Sequence, residues 1–312
     1  MEKIKNVRIG DRPEMVLKFQ SIQIKKTNAN EDYASLIGFD GEDLIEVKIW
    51  SLPEGKKEIL KSGEIYFVSG VIKDYQGKKQ FNVSDFRLAS DDEVDKDSFY
   101  EYAPLSKTEL QTKISSYINK IQNANLKNIV LTTLKKYAND YFEYPAAVSI
   151  HHNYICGLAY HVYSMLVLAD VYLKQYTFLN KDLVYSGIIL HDIGKVKELS
   201  GSKGVEYTKP GNLLGHITIG ANIVSKVCES LGLGDNEEAV CLIHMILAHH
   251  GELEYGSPKE PLMAEAALLY YLDFTDSRFA SLEKYYKSTN KGEYTDPIFA
   301  FDKKSFYIPN ID

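Results

Sequence analysis

The hydrophobic pattern of this sequence changes once, near residue 105, and that change constrains the fold more than any other feature. Before it, segments rich in Val, Ile, Phe and Tyr are separated by turn signals such as Asp40-Gly41 and Gln76-Gly77, which is typical of short β-strands. After it, apolar residues recur at helical spacing. We therefore expect an N-terminal β domain followed by an all-α domain.

Five strands are predicted in the first part, with a short helical segment before the fourth strand. Alternation is clearest in the third strand, where Ile45, Val47 and Ile49 share one face. The predicted strands are residues 14–25, 33–39, 43–50, 64–75 and 79–87. This pattern predicts a small five-stranded barrel of the oligonucleotide-binding (OB) type over residues 1–90. A generic meander or an SH3-like barrel would give a similar pattern.

The helical part opens at Ser106, where Ser106 and Glu109 form a capping-box pattern. The predicted helices are residues 106–122, 125–140, 157–175, 180–193, 215–231, 236–249 and 262–287, with a glycine-rich loop at 195–214. The predicted domains are the barrel at 1–90, an acidic linker at 91–105, a helical bundle at 106–291 and an aromatic tail at 292–312. The five tail aromatics are expected to pack on the helical domain.

Composition excludes several classes of protein. With 312 residues, 45% hydrophobic and 25% charged, the chain is neither disordered nor fibrous. It has three scattered cysteines, no apolar run long enough to span a bilayer and a charged N-terminal segment, so a cytoplasmic protein without a membrane partner is expected. The net charge of -7 arises after residue 90, since residues 1–90 carry 15 Lys and Arg against 14 Asp and Glu. The acidity therefore does not argue against a barrel that contacts nucleic acid.

All eight histidines lie between residues 151 and 250, which marks the region where chemistry is to be sought. The key sequence is LHDIGK, which contains His191 and Asp192. The other candidate ligands are His161 upstream and His216, His249, His250 and Asp273 downstream. Imidazole and carboxylate ligands without thiolate suit manganese, iron, cobalt or zinc. A carboxylate beside a ligating histidine is placed to bridge two ions, and two ions can drive phosphoester cleavage.

These residues follow the order H…HD…H…H…D and resemble the signature of the HD-domain phosphohydrolases. With the preceding barrel and the motifs HHNYICGLAYH, LLGHITIG, ILAHHGELEYGSP and GEYTDPIFAFD, the whole chain resembles the YhaM-type 3′→5′ exoribonucleases. That resemblance implies a helical HD bundle that binds divalent metal, with manganese or cobalt supporting activity. It also implies that single-stranded RNA, and to some extent single-stranded DNA, is shortened from the 3′ end to nucleoside monophosphates.

By motif matching, the resemblance implies one ion on His161, His191, Asp192 and Asp273. It implies a second ion on Asp192, His216 and His249, with His250 as a further candidate. The chain departs from many relatives in having Cys156-Gly157 where they carry paired glycines, which bears on substrate preference more than on metal binding.

Other residues are candidates for substrate contact. Lys195 could neutralise a phosphate in the transition state, although a lysine after Gly194 also fits the end of a helix. His151 and His152 precede the first ligand helix and could contact phosphate or base, or simply cap the helix. In the barrel, Trp50, Lys48 and Tyr33 are candidates to stack on or pair with single-stranded RNA. Lesser barrel candidates are Tyr66, Phe81 and Lys73, and any of these aromatics could instead belong to the core.

Two alternative functions remain open at this point. HD sites cleave many phosphoesters, so a nucleotide or cyclic-dinucleotide phosphohydrolase is one alternative, although Glu254-Tyr255-Gly256-Ser257-Pro258 stands where the cyclic-dinucleotide enzymes carry a GYP motif. A non-catalytic RNA-binding protein with a degenerate metal site is the other, and the intact ligand set counts against it. Assembly into a homo-oligomer is also left open.

Overall fold

The computed structural model describes residues 2–52, 54–90, 92–147, 154–203 and 205–311. The chain divides into two compact units. The first comprises residues 1–101 and 203–205, and the second comprises residues 102–202 and 206–312.

The first unit is a closed five-stranded barrel, which confirms the predicted OB-like architecture. Its strands are β1 (Glu14–Lys26), β2 (Asp32–Phe39), β3 (Leu44–Ile49), β4 (Ile65–Tyr75) and β5 (Lys78–Leu88), with helix α1 (Glu54–Lys57) before β4. They pair in the order β1-β2-β3-β5-β4, and β1 closes the barrel by pairing with β4. The β3–β5 pair is parallel and the other pairs are antiparallel.

Alternation of apolar residues explains the barrel interior. Ile45, Val47 and Ile49 are all buried, as their shared face predicts, and they join the main barrel core. Tyr66 and Phe81 are also fully buried in that core, so their prediction as nucleic-acid contacts is wrong. Their rings fill barrel volume instead, which is the more common place for a strand aromatic.

The segment after β5 does not behave as a free linker along its whole length. Phe99 is buried together with Val16, Ile65 and Ala89, and the Lys18 ammonium donates a hydrogen bond to the Phe99 carbonyl at 2.5 Å. Residues up to 101 accordingly belong to the barrel unit. Burial of the apolar ring of Phe99 stabilises the packing of this stretch on the barrel. The acidic composition of the stretch did not predict that packing.

The second unit is helical. Its helices are α2 (Lys107–Lys120), α3 (Ala124–Glu143), α4 (Gly157–Gln175), α5 (Lys181–Leu190), α6 (Lys195–Glu198), α7 (Lys209–Ser230), α8 (Glu237–Ala248) and α9 (Ala264–Ser288). The capping box predicted at Ser106 is present, with reciprocal bonds between Ser106 and Glu109. Helix α5 contacts α3, α4, α8 and α9, so the element that leads into His191 lies at the centre of the bundle.

The predicted loop at 195–214 is wrong at both ends. Lys195 begins the short helix α6, and α7 starts at Lys209 rather than at residue 215. Thr208 caps α7 by accepting the Gly211 N–H at 3.0 Å, and Pro210 is favourable in a first helical turn. Gly215 adopts φ 70° and ψ 156° and kinks α7 at that point. Glycines are more typical of loops than of helices, which is why the sequence predicted a loop before residue 215.

The tail forms an irregular hairpin. Tyr294 bridges to Tyr307 and Ile298 to Lys304, and Ile298 is buried. Tyr294, Phe299 and Tyr307 are nevertheless exposed, contrary to the expectation that the tail aromatics are packed. Within the described parts of the chain, no helix combines the length and apolar character that crossing a bilayer requires.

Candidate metal centre

Five helical elements bring the candidate ligands together. His161 lies on α4, His216 on α7 just after the Gly215 kink, and Asp273 on α9. His191 and His249 are the residues that end α5 and α8. Ligands distant in sequence therefore converge in the bundle core, as in other carboxylate–histidine centres.

Asp192 lies at the centre of this cluster. Its Oδ2 is 3.4 Å from His191 Nε2 and 3.9 Å from His161 Nε2. Its Oδ1 is 3.5 Å from His216 Nε2 and 3.7 Å from His249 Nε2. The two oxygens of one carboxylate thus face two different pairs of histidines.

The remaining candidates extend the two halves of the cluster. Asp273 Oδ1 is 3.2 Å from His161 Nε2, and His161, His191 and Asp273 offer ligand atoms within 4.8 Å of one another. His216, His249 and His250 form a second set that meets the same limit. His191, Asp192 and His249 form a third set, which joins the first two.

Hydrogen bonds at Nδ1 orient the histidine rings. His191 Nδ1–H donates to the Ile188 carbonyl at 2.8 Å, and His249 Nδ1–H donates to the Ile246 carbonyl at 2.7 Å. Each of these bonds reaches back three residues along its own helix. With Nδ1 used in this way, Nε2 is left to face the centre of the site.

Carboxylates orient the other two histidines. His161 Nδ1–H donates to Asp276 Oδ2 at 2.7 Å. His216 donates to Glu198 Oε1 from both its backbone N–H, at 2.9 Å, and its Nδ1, at 3.1 Å. Glu198 was missed by sequence reasoning, because no spacing rule links a carboxylate on α6 to a histidine on α7.

The buried nitrogen and oxygen atoms of the cluster are suited to binding a divalent cation. Within the described residues, His191 Nε2, His216 Nε2, His249 Nε2 and Asp192 Oδ1 are buried without a hydrogen-bond partner. Leaving such groups unsatisfied costs about 1–3 kcal/mol each. Convergent imidazole nitrogens and carboxylate oxygens that lack other partners are what a metal ion of the manganese, iron, cobalt or zinc type satisfies.

Electrostatics keep the central groups in the right charge states. Burial would raise the pKa of Asp192, but Lys195 and His191 hold that pKa well below its usual range. Burial would lower the pKa of Lys195, and Asp192 raises it. Burial lowers the pKa of His249, so that ring is neutral at pH 7 and can act as a ligand.

His161 shows how much negative charge surrounds the site. Burial would lower the pKa of His161, but hydrogen bonds to Asp273 and Asp276 raise it to about 10. Asp273 faces Nε2, where a metal cation would be attracted in place of the proton, whereas Asp276 accepts the proton on Nδ1.

The cluster opens into a cavity of ≈ 500 Å³. Asp192, Lys195, His216, His250 and Asp273 all line it. Lys195 Nζ is 2.6 Å from Asp192 Oδ2, so its positive charge lies next to the central carboxylate and borders the cavity. An anionic group in the cavity therefore has a fixed cation beside the candidate metal ligands.

The predicted barrel contacts also lie together. The Tyr33 and Trp50 rings stack at a centroid distance of 5.1 Å, and Trp50 is 49% exposed. Trp50 Nε1 donates to Asn82 Oδ1 at 3.2 Å, and the Lys48 ammonium donates to the Ser35 hydroxyl at 2.8 Å. Trp50 is exposed and Tyr33 is half-buried, so the two rings form a partly exposed aromatic pair on the barrel surface.

Two sequence candidates cannot be placed. His151 and His152 lie outside the described residues. His244, on α8, accepts a hydrogen bond from the Leu262 N–H at 3.0 Å and lies outside the three sets of candidate ligands.

Comparisons with known proteins agree with this geometry. The HD domain family matches residues 158–277, which include all seven candidate ligands. A protein named 3′-5′ exoribonuclease YhaM from Listeria innocua is 40% identical over the full length of both chains. Proteins of the same name are 39% identical in Listeria monocytogenes over both full lengths, and 40% identical in a Geobacillus species over 98% of this chain and 94% of the relative. Since the similarity spans barrel and helical unit alike, the chain belongs to the YhaM family of 3′-5′ exoribonucleases, as its motifs indicated.

Proposed function

We propose that this chain is a metal-dependent exonuclease that shortens single-stranded RNA, and to a lesser extent single-stranded DNA, from the 3′ end to nucleoside monophosphates. The proposal depends on one observation, the cluster of buried nitrogen and oxygen atoms around Asp192. This cluster faces a cavity that Lys195 also lines. The names of the relatives support the substrate and the polarity.

Two divalent ions, with manganese as the first choice, would be held by the two halves of the cluster. His161, His191, Asp192 and Asp273 would hold one ion. Asp192, His216 and His249 would hold the other, with His250 as a further ligand. The way in which Asp192 Oδ1 and Oδ2 face different histidine pairs supports Asp192 as the bridge.

When bound, such ions supply Lewis acidity toward the phosphate and a water-derived nucleophile at neutral pH. The chain's own residues do the rest. Asp192 stays ionised because Lys195 lies beside it, and Lys195 offers its remaining N–H donors to a phosphate in the cavity. His161, His191 and His249 are fully buried, which strengthens the electrostatic interactions among these side chains and Asp192.

The barrel would capture the RNA. Tyr33 and Trp50 present stacked aromatic faces, and base stacking on such faces contributes about 1–3 kcal/mol per base with little dependence on sequence. Lys48, next to Trp50 in sequence, pairs with Glu46 at 2.8 Å and would contribute its charge by exchanging that carboxylate for an RNA phosphate. Replacing both Trp50 and Tyr33 by alanine should weaken binding of single-stranded RNA without abolishing the hydrolysis of a bound chain.

The proposal is tested by incubating the full chain and 5′-labelled single-stranded RNA with manganese. We expect a ladder of products that shorten step by step, since loss from the 3′ end leaves the label in place. EDTA and His249→Ala should abolish the ladder, whereas His244→Ala, a histidine on the same helix outside the cluster, should retain it.

Other outcomes distinguish the alternatives. Immediate release of a labelled mononucleotide would show the opposite polarity. Hydrolysis of free nucleotides or cyclic dinucleotides with intact RNA would instead favour a small-molecule phosphohydrolase. RNA binding without hydrolysis under any divalent metal would favour a non-catalytic binding protein.

A further inference from the structure

The cavity at the metal centre is also lined by aromatic side chains that the candidate ligands do not use. They are Tyr207, Tyr270, Phe274 and Phe299. Phe299 is 69% exposed and Phe274 is 36% exposed. Large apolar rings that stay exposed inside a concave polar site offer a surface for a flat apolar ligand group.

The tail hairpin places Phe299 at this cavity. Phe299 begins the single 3₁₀ turn at the hairpin tip, directly after the buried Ile298. The Ile298 N–H donates to the Lys304 carbonyl at 3.0 Å, and the Thr295 N–H donates to the Phe306 carbonyl at 2.9 Å. Hydrogen bonds therefore hold the backbone of the tip in place. The side chain of Phe299 is exposed and lines the cavity, whereas that of Ile298 is buried.

Arg278 ties this tip to α9. Its guanidinium donates a hydrogen bond to the Ala300 carbonyl. The same group lies 4.1 Å from the ring centroid of Phe274 and 5.2 Å from that of Phe301. Helix α9 also carries Asp273, so the tail tip and a candidate metal ligand are held by one rigid element.

We propose that Phe299 and Phe274 form a stacking wall for the nucleobase of the 3′-terminal nucleotide, with Arg278 as the residue that positions the wall. This inference rests on the proposed function, since it assigns a subsite to the same centre. Lys195 borders the same cavity, so a nucleotide phosphate beside Lys195 would leave its base within a site lined by these rings. A cavity of ≈ 500 Å³ is of the size that holds one small ligand.

The chemistry predicts a particular kind of selectivity. Every nucleobase has a π-face, so stacking recognises the presence of a base without reading its identity. The proposed wall consists of the phenylalanine rings Phe274 and Phe299, which carry no hydrogen-bonding group that could read a base edge. The terminal base is therefore expected to raise affinity in all four nucleotides to a similar extent.

The test compares binding of adenosine 5′-monophosphate and ribose 5-phosphate to the full chain in manganese buffer by calorimetry. In the unmodified chain, the ligand with the base should bind about tenfold more tightly. Phe299→Ala should remove most of that difference by weakening only adenosine 5′-monophosphate, and Phe299→Leu, which keeps apolar bulk without a π-face, should fall between the two. Phe279→Ala is the matched control, because Phe279 is 65% exposed on α9 and outside the cavity lining.

The inference is overturned if Phe299→Ala weakens both ligands equally, or if it leaves the preference for adenosine 5′-monophosphate intact. Thermal melting of each variant shows that the fold is retained, which is expected because Phe299 is largely exposed. This readout requires no hydrolysis. A chain that does not shorten RNA would refute the proposed function while leaving the binding comparison to decide on the stacking wall.

Discussion

At the scale of single residues, the groups behind the ligands decide how well the site is formed. Glu198 is the clearest case, since one of its oxygens accepts both the backbone N–H and the Nδ1–H of His216. Burial would raise the pKa of Glu198, and the hydrogen bond from His216 lowers it, so Glu198 is ionised at neutral pH. A charged partner at Nδ1 makes the opposite ring nitrogen a better ligand.

Glu198→Gln keeps the size of the side chain and removes its charge. We expect manganese affinity or nuclease activity to fall by about 10–100-fold with little change in thermal stability. Calorimetric titration with manganese measures the effect. Glu206→Gln, an exposed residue nearby in sequence, is the control and should bind as the unmodified chain does. Equal affinity in the Glu198 variant would show that Glu198 only packs against His216.

The residues also show what sequence can and cannot predict about the site. The seven candidate ligands were proposed from their types and their order along the chain, and the structure brings all seven together. Glu198 could not be found in this way, since its role depends on α6 packing against α7. That packing in turn needs Gly194, because a Cβ there would lie 1.9 Å from the His216 carbonyl oxygen.

At the scale of elements, the kink in α7 positions His216. Gly215 has φ 70° and ψ 156°, a region that residues with a Cβ rarely adopt. Gly215→Ala should cost roughly 1–3 kcal/mol of stability or shift His216, and in either case weaken one of the two metal sites. Melting temperature and manganese stoichiometry report the two effects. Gly201→Ala, at a position with open space and no positive φ, should leave both unchanged; an unaffected Gly215 variant would mean that the kink is dispensable.

A buried carboxylate links the N-terminal 3₁₀ turn to the β2–β3 hairpin. Asp40 accepts the N–H groups of Ile4 at 2.7 Å, Glu42 at 2.9 Å and Asp43 at 2.7 Å. Burial would raise its pKa, and these backbone bonds lower it below the usual value. Because the folded pKa lies below the unfolded value of about 3.9, this stabilisation is complete above that pH and is lost as the pH falls toward the folded value.

We therefore expect Asp40→Asn to lower the free energy of unfolding at pH 7 by about 1–3 kcal/mol and to flatten its decline below about pH 5. Trp50 is the only tryptophan and lies in the barrel, so its fluorescence in the full chain during urea unfolding reports on this unit. Asp43→Asn, at an exposed neighbour, should keep the original pH dependence. A variant at Asp40 with that same dependence would contradict the assignment.

Elements were predictable where one periodicity dominated. The buried face of β3 and the capping box at Ser106 followed directly from local pattern. The start of α7 was not predictable, since Gly211 and Gly215 are both typical of loops, although Gly211 lies in the first turn of α7 and only Gly215 departs from helical geometry. The burial of Phe99 was not predictable either, because it depends on a barrel surface far away in sequence.

At the scale of the whole molecule, the chain consists of two compact units that differ in structure and in proposed role. The barrel carries the stacked pair of Tyr33 and Trp50 that we propose as a contact for single-stranded RNA, and the helical unit gathers the candidate ligands around Asp192. The sequence predicted the order of these units because strand-like hydrophobic patterns precede residue 105 and helical patterns follow it. The claim on which everything else depends is that Asp192 bridges two divalent ions.

The most direct measurement is anomalous diffraction at the manganese absorption edge from crystals of the full chain grown with manganese. We predict two peaks about 3.5–4 Å apart, one near each oxygen of Asp192. One should lie among His161, His191 and Asp273, and the other between His216 and His249. A single peak, or peaks that do not adjoin Asp192, would contradict the bridged centre and the mechanism built on it.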